Sequence, residues 1–185
     1  NLSFLGEGDL LKHLFVYGNA SVNDTKVTSY VNIDGSGGLY EANRPLYGQS
    51  PYTYNLGMDY IGDRFGFSLR HNAVGDQYIL VGFDYSAEEI RMPYAQTDAQ
   101  LSYKFFKKKD LQFKFSIKNM FDAGVLTYNN NNSYSKIENV PDGSNPRSRF
   151  SLGANATNKY DPDIDQVVFK SFAGRTISIS LNYDF

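Results

Sequence analysis

His71 is the residue whose neighbours come nearest to those of a catalytic histidine, because Ser68 and Arg70 stand close to it. Serine and histidine perform nucleophilic hydrolysis when their side chains are within hydrogen-bond reach. The segment that holds them alternates like a β-strand, in which successive side chains point to opposite faces. His71 then falls in the outward, apolar phase and Ser68 in the other, so we predict no catalytic residue and no enzyme. The second histidine, His13, is expected on the surface at the start of a strand.

Three aspartates stand at alternate positions of one polar segment: Asp161, Asp163 and Asp165. This D-x-D-x-D spacing opens the calcium loop of an EF-hand. However, Pro162 interrupts the run, Gln166 replaces the required glycine, and Phe172 stands where the bidentate glutamate belongs. An EF-hand is therefore excluded, and either a weak calcium site or a solvated acidic loop remains. No other metal or cofactor is predicted.

Charge and cysteine content exclude several classes of protein. The chain has 185 residues, with 18 Lys+Arg against 20 Asp+Glu, so no polycationic surface for nucleic acid is indicated. Cysteine is absent, which removes disulfide scaffolds and thiolate metal sites. No apolar run approaches the roughly 18 residues that a transmembrane helix needs.

Six segments alternate between apolar and polar residues, and no segment shows a helical period. The clearest is the last, with Ile177, Ile179 and Leu181 on one side and Ser178 and Ser180 on the other. Period two predicts β-strands with one apolar and one polar face. The segments are 12–28, 52–60, 64–73, 95–105, 111–121 and 176–185.

The connections between these segments alternate strictly between short and long. Residues 61–63 and 106–110 form short turns, whereas 29–51, 74–94 and 123–174 form long connections. This alternation is typical of membrane β-barrels, which have short periplasmic turns and long extracellular loops. The longest connection is rich in Asn, Ser, Asp and Pro, and alternation at 150–156 indicates an additional hairpin there.

A soluble β-sandwich is the alternative, because its strands alternate in the same way. The strand length of about 9–12 residues favours a barrel, as do aromatic residues near strand ends and a consistently polar second face. We therefore predict an all-β, antiparallel transmembrane β-barrel. Its lumen-facing residues, which could contact a plug or a substrate or only form a wetted wall, are Asn55, Asp59, Arg64, Arg70, Asp98 and Lys104.

Six strands are too few for a closed membrane barrel, which needs at least about eight. An open edge in hydrocarbon would leave backbone groups unpaired. Either residues 1–10 and the longest connection supply further strands, or the sheet pairs with sequence outside this chain.

Three motifs resemble the carboxyl-terminal part of TonB-dependent outer-membrane transporters. RPLYGQSPYTYNLGMDY at 44–60 resembles their R-x-L-x-G-Q-S-P-Y run followed by N-L-G and a strand. KNMFD at 118–122 resembles K-N-L-F-D/N, and GRTISISLNYDF at 174–185 resembles the G-R-T-x-S-x-S-L-x-Y-x-F terminus. Order and spacing fit most closely the members that carry an amino-terminal carboxypeptidase-regulatory-like domain.

The resemblance implies a barrel of about 22 strands with an amino-terminal plug in the bacterial outer membrane. Residues 1–185 would be about its last six strands, without the plug or the TonB box. The family imports nutrients such as siderophores, glycans or peptides with energy coupled through TonB. Phe185 would belong to the terminal assembly signal read by the barrel-assembly machinery.

The partners implied are the rest of the barrel, the plug, and the TonB complex through the amino-terminal part. Lipid and lipopolysaccharide would surround the barrel, and a surface lipoprotein or a larger membrane complex could join it. The alternative is a small structural or adhesive outer-membrane barrel that transports nothing.

Overall fold

The alternating segments form β-strands in the computed structural model, which describes residues 2, 9–31, 40–80, 88–130, 134–136, 150–152, 159–163 and 165–183. These residues form antiparallel sheets and one short helix, α1 (Asp9–His13), so the prediction of an all-β antiparallel fold is confirmed. None of the described helical residues belongs to a helix that could cross a membrane. The strands are β1 (Leu14–Val22), β2 (Val27–Val31), β3 (Tyr40–Arg44), β4 (Tyr52–Ile61), β5 (Phe65–Val74), β6 (Gln77–Leu80), β7 (Glu89–Arg91), β8 (Tyr94–Phe105), β9 (Leu111–Lys118), β10 (Gly124–Asn129), β11 (Tyr134–Lys136), β12 (Phe150–Leu152), β13 (Gln166–Phe172) and β14 (Thr176–Tyr183).

The six predicted segments pair side by side in one sheet, called here the long sheet, with the order β1-β4-β5-β8-β9-β14. Each strand is antiparallel to its neighbour, and the register runs without a shift. The short turns 62–64 and 106–110 lie at one end of this sheet, its turn end. The long connections leave from the opposite end, its loop end.

Alternation gives the long sheet two unlike faces. One row across the apolar face consists of Val16, Met58, Leu69, Ala99, Ile117 and Ile177. The adjacent row on the polar face consists of Phe15, Asp59, Ser68, Gln100, Ser116 and Ser178. Because side chains alternate at every residue, this register places all six strands in the same phase.

No second sheet covers the apolar face among the described residues. Val16 is 58% exposed and Ile177 is 61% exposed, although both belong to the central apolar row. A β-sandwich would bury such a face against a second layer, and the described strands do not form that arrangement. The described part of the sheet also does not close on itself, because β1 and β14 are its two edges.

The long connections contain a second sheet that the sequence did not predict, called here the short sheet, with the order β13-β10-β7-β6. Its core consists of Tyr78, Ile90 and Tyr128, each at most 4% exposed, with Tyr160 packed against them. Two hairpins accompany it, β2 with β3 and β11 with β12. The hairpin expected near residue 150 is thus confirmed for β12, whereas residues 153–158 lie outside the described part.

Two predicted strand segments were too long. The segment 12–28 contains two strands, because β1 ends at Val22 and the amide of Asn23 donates to the carbonyl of Pro51 at 2.9 Å. The segment 111–121 ends as a strand at Lys118, since Asn119 and Asp122 adopt positive φ angles of 53° and 55°. Asn and Asp tolerate this left-handed conformation, which breaks a strand.

Candidate functional site

Most of the predicted lumen residues share the polar face of the long sheet. Arg64 is the exception, because it lies in the turn before β5 rather than in the strand. The others alternate with apolar residues in β4, β5 and β8, and they are Asn55, Asp59, Arg70, Asp98 and Lys104. Whether this face lines a lumen remains a prediction.

A basin of about 290 Å³ lies on this face at the turn end and joins four of these residues: Asp59, Arg64, Arg70 and Lys104. Three are cationic and one is anionic, so the basin has an excess of two positive charges. The Asp59 carboxylate accepts a hydrogen bond from Ser68 Oγ and offsets only one of the three positive charges. The basin could therefore attract an anionic group.

Arg70 in β5 is held in place by an aromatic residue two strands away, in β1. Its Nε donates to the hydroxyl oxygen of Tyr17 at 3.2 Å. The Tyr17 ring lies over Gly57, where any Cβ would collide with the ring. Gly57 belongs to β4, which lies between β1 and β5. It thus provides the space in which Tyr17 lies flat and reaches the guanidinium.

Asp98 belongs to a chain of hydrogen bonds toward the loop end. Tyr94 donates from its hydroxyl to Gln96 at 2.8 Å, and the Gln96 amide donates to the Asp98 carboxylate at 2.9 Å. The same carboxylate oxygen accepts the backbone N–H of Asn119 at 2.9 Å. Asp98 therefore fixes the turn after β9. Asn55 has a similar local role, because its amide donates to the side chain of Asn19 at 2.7 Å.

Asn119 connects two of the motifs that the sequence analysis singled out. Its side-chain amide donates to the carbonyls of Ala123 and Gly174, both at 3.1 Å, and its oxygen accepts the Ala123 N–H at 2.8 Å. The residue is 5% exposed. These hydrogen bonds join the K-N-M-F-D turn to the G-R-T segment at the loop end. There the chain leaves β9 for β10 and returns from β13 to β14. The sequence resemblance identified both motifs but not this contact.

The two histidines have structural partners. His71 lies on the apolar face, where its Nδ1 is 2.8 Å from Thr97 Oγ1 and its ring stacks on Tyr54. Ser68 lies on the opposite face and donates to Asp59, so the two side chains do not form a nucleophile and base pair. His13 ends α1 at the turn end, with Nδ1 2.8 Å from the carbonyl oxygen of Ile61.

The candidate calcium residues satisfy the backbone of their own loop. The backbone N–H of Asp161 donates to the Asp165 carboxylate at 2.8 Å, and the N–H of Asp163 donates to the Asp161 carboxylate at 3.0 Å. All three aspartates are described, and no described group of three or more acidic or histidine side chains could hold a metal ion. We assign no calcium site to this loop.

A buried ion pair in the long connections escaped sequence analysis. Arg44 Nη1 contacts Glu88 Oε1, and the two side chains are only 8% and 5% exposed. Burial raises the pKa of the Glu88 carboxyl, and the guanidinium of Arg44 acts in the opposite direction. The pair joins the end of β3 to the start of β7. Because 44 positions separate the two residues, no local pattern could reveal it.

Comparison with known proteins gives no independent identification: no family model, curated protein or solved structure matches this chain.

Proposed function

We propose that this chain forms part of the wall of a TonB-dependent outer-membrane transporter, and that the whole barrel imports a nutrient. The observation that supports this proposal is the long sheet, whose apolar face has no protein layer over it among the residues that the structure describes. Large exposed apolar patches mark contact with membrane or with another protein. A face of this kind, repeated in phase over six antiparallel strands, suits contact with lipid.

The dimensions of the long sheet are consistent with a membrane wall. Its strands have between 8 and 12 residues, against the roughly 9–11 that a tilted strand needs to span the hydrocarbon. Aromatic side chains gather at the turn end, where Tyr60 packs near Phe65 and Tyr103 packs near Phe105. Such rings suit the membrane interface.

No further strand of the described part pairs with the edges β1 and β14, which supports the assignment to a larger barrel. In hydrocarbon, every backbone N–H and C=O must find a partner, so both edges would pair with strands from outside this chain. The polar face would then line the interior, with the cationic basin near the periplasmic end. Phe185, the proposed assembly signal, lies outside the described residues, and its role remains a proposal from the sequence.

A small adhesive barrel is the alternative, and the short sheet favours it. That sheet has its own packed core around Ile90, which orders the long connections into a defined surface. Against this alternative, the long sheet has fewer strands than the roughly eight of the smallest closed membrane barrels.

Single cysteines in β8 of the full-length protein test the membrane placement, since this chain has no cysteine of its own. In cells, Gln100→Cys on the polar face should react with a water-soluble maleimide. Leu101→Cys on the apolar face should react only with a lipid-soluble one. Equal reaction of both cysteines with the water-soluble reagent would refute a lipid-facing wall.

Uptake then separates transport from adhesion. Cells that depend on the protein for growth on one scarce nutrient should lose that growth when TonB is inactivated. If cell attachment requires the protein but no tested nutrient does, and TonB has no effect, the adhesive alternative is correct.

A further inference from the structure

A second pocket lies at the joint between the two sheets, where β5 continues into β6 and β7 continues into β8. It measures about 330 Å³, near the lower limit for sites that bind small molecules. Val74 and Tyr94 form the last pair of β5 and β8 on the polar face and provide one side of the pocket. Met92 and Val125 contribute further apolar surface.

Among the described residues that line this pocket, Arg91 alone is charged. Its Nε is buried and has no hydrogen-bond partner in the described part of the chain. Its guanidinium also forms no ion pair there, since the described ion pairs are Arg44 with Glu88 and Lys109 with Asp63. A buried donor without an acceptor destabilises the protein. A group that supplies the acceptor would remove this penalty.

Gln77 fixes the orientation of this guanidinium. Arg91 Nη1 donates to Gln77 Oε1 at 3.3 Å, and Gln77 Nε2 donates to the carbonyl of Gly48 at 3.3 Å. Nη1 is occupied in this way, whereas Nε has no acceptor among the described residues. A guanidinium can present two N–H groups side by side to the two oxygens of a carboxylate or phosphate. Gln77 is therefore a positioning residue.

From this geometry we infer that the joint pocket binds a small organic anion, whose carboxylate or phosphate group pairs with Arg91. The apolar part of that ligand contacts Val74, Met92 and Val125. A fully hydrated inorganic anion would leave these apolar surfaces uncovered, whereas a neutral apolar molecule would leave the Arg91 donor unpaired. Both features of the pocket therefore select an anion with a short hydrocarbon part.

This inference deepens the proposed function, because the pocket continues the polar face at the loop end and would lie at the outer mouth of the barrel. Binding requires only the pocket, whereas transport also requires TonB. Failure of the ligand prediction and failure of the transport proposal are therefore separate results.

Calorimetry on the full-length protein in detergent tests the inference with hexanoate, hexyl phosphate and the neutral analogue hexanamide. We expect both anions to bind, and hexanamide to bind roughly tenfold to a hundredfold more weakly because it lacks the charged hydrogen bonds. Arg91→Gln should reduce hexanoate affinity by a similar factor. Partitioning of the probe into micelles is the same for wild type and variant in one detergent, so it cancels when their affinities are compared.

Arg175→Gln is the matched control, since it removes the same charge from an exposed position outside the pocket. It should bind hexanoate as the wild type does. Val125→Phe keeps Arg91 but fills the pocket, and it should abolish binding of all three probes. The inference is overturned if wild-type protein binds hexanamide as tightly as hexanoate, a comparison that needs no variant. It is also overturned if Arg91→Gln or Val125→Phe retains full affinity for hexanoate.

Discussion

The long and short sheets treat apolar side chains in opposite ways. In the short sheet, Ile90 is fully buried between Tyr78 and Tyr128. In the long sheet, Leu181 is 65% exposed and Ile179 is 66% exposed, although both lie on a continuous apolar face. The short sheet thus obtains its burial from protein, while no protein in the described part of the chain covers the apolar face of the long sheet.

This difference shows that the two sheets depend on different surroundings. The stability of the short sheet should follow its contacts with protein, including the buried Arg44–Glu88 pair that joins β3 to the start of β7. The stability of the long sheet should follow the medium that surrounds the protein. Substitutions in each sheet can therefore test this difference.

Glu88→Ala should have the largest effect, because it leaves the Arg44 guanidinium buried without its partner. Removal of one partner from a buried ion pair destabilises by about 3–5 kcal/mol. Hydrogen exchange of the amides in β7 and β10 of the full-length protein should report this loss, with little change in the long sheet.

The double variant Arg44→Met with Glu88→Leu is the control, since replacement of both charges by apolar groups is often neutral or stabilising. Acid should also affect the pair. Burial raises the pKa of Glu88 above its ordinary 4.5, so the folded protein holds this proton more tightly than the unfolded chain does. The resulting gain in folding stability is complete below pH 4.5 and is lost as pH rises through the folded pKa. Unchanged protection in Glu88→Ala would show that the pair does not hold the short sheet together.

Leu69→Arg should have the next largest effect, because Leu69 lies in the central apolar row of the long sheet. An arginine facing lipid near the bilayer midplane destabilises a barrel by about 2–4 kcal/mol. Urea unfolding of the full-length protein in bilayers measures the change. Gln100→Arg introduces the same residue on the polar face and should change stability far less. Equal effects would contradict the assignment of lipid to one face.

The smallest effect is expected at the turn end, where Lys109 Nζ contacts the exposed Asp63 carboxylate. This hydrogen bond lowers the pKa of Asp63 below its ordinary 3.8. The pair therefore stabilises above that pH and loses its effect as pH falls through the folded pKa. Lys109→Met should raise the pKa of Asp63, as measured by NMR of its side-chain carboxyl carbon. High salt should do the same, since exposed pairs are screened. An unchanged pKa would show that the contact is absent in solution.

The sequence predicted the long sheet well, because each of its strands alternates over several residues and the short turns set their order. Arg70, Asp98 and Lys104 share one face of this sheet for the same reason. The partners of these residues could not be predicted. That Asp98 accepts the Asn119 N–H depends on a left-handed turn, and nothing in the alternation of 111–121 marks where that turn begins.

The short sheet could not be predicted, because two of its strands are too brief to show a period: β7 has 3 residues and β6 has 4. Its core also joins Tyr78 and Ile90 of the connection 74–94 to Tyr128 of the connection 123–174. Arg91 likewise had no recognisable pattern, since its importance arises only where two sheets meet. Contacts between distant segments determined both outcomes.

The last residue pairs of the long sheet at its loop end determine which parts of the sequence can vary. Val74 pairs with Tyr94, and Lys118 pairs with Thr176, so the strands that leave the long sheet return to it in fixed register. The intervening residues can change in length and composition without shifting any row below them. One scaffold can in this way exchange its outer surface segment by segment, as an antibody domain exchanges its loops, while the sheet beneath keeps its pairing.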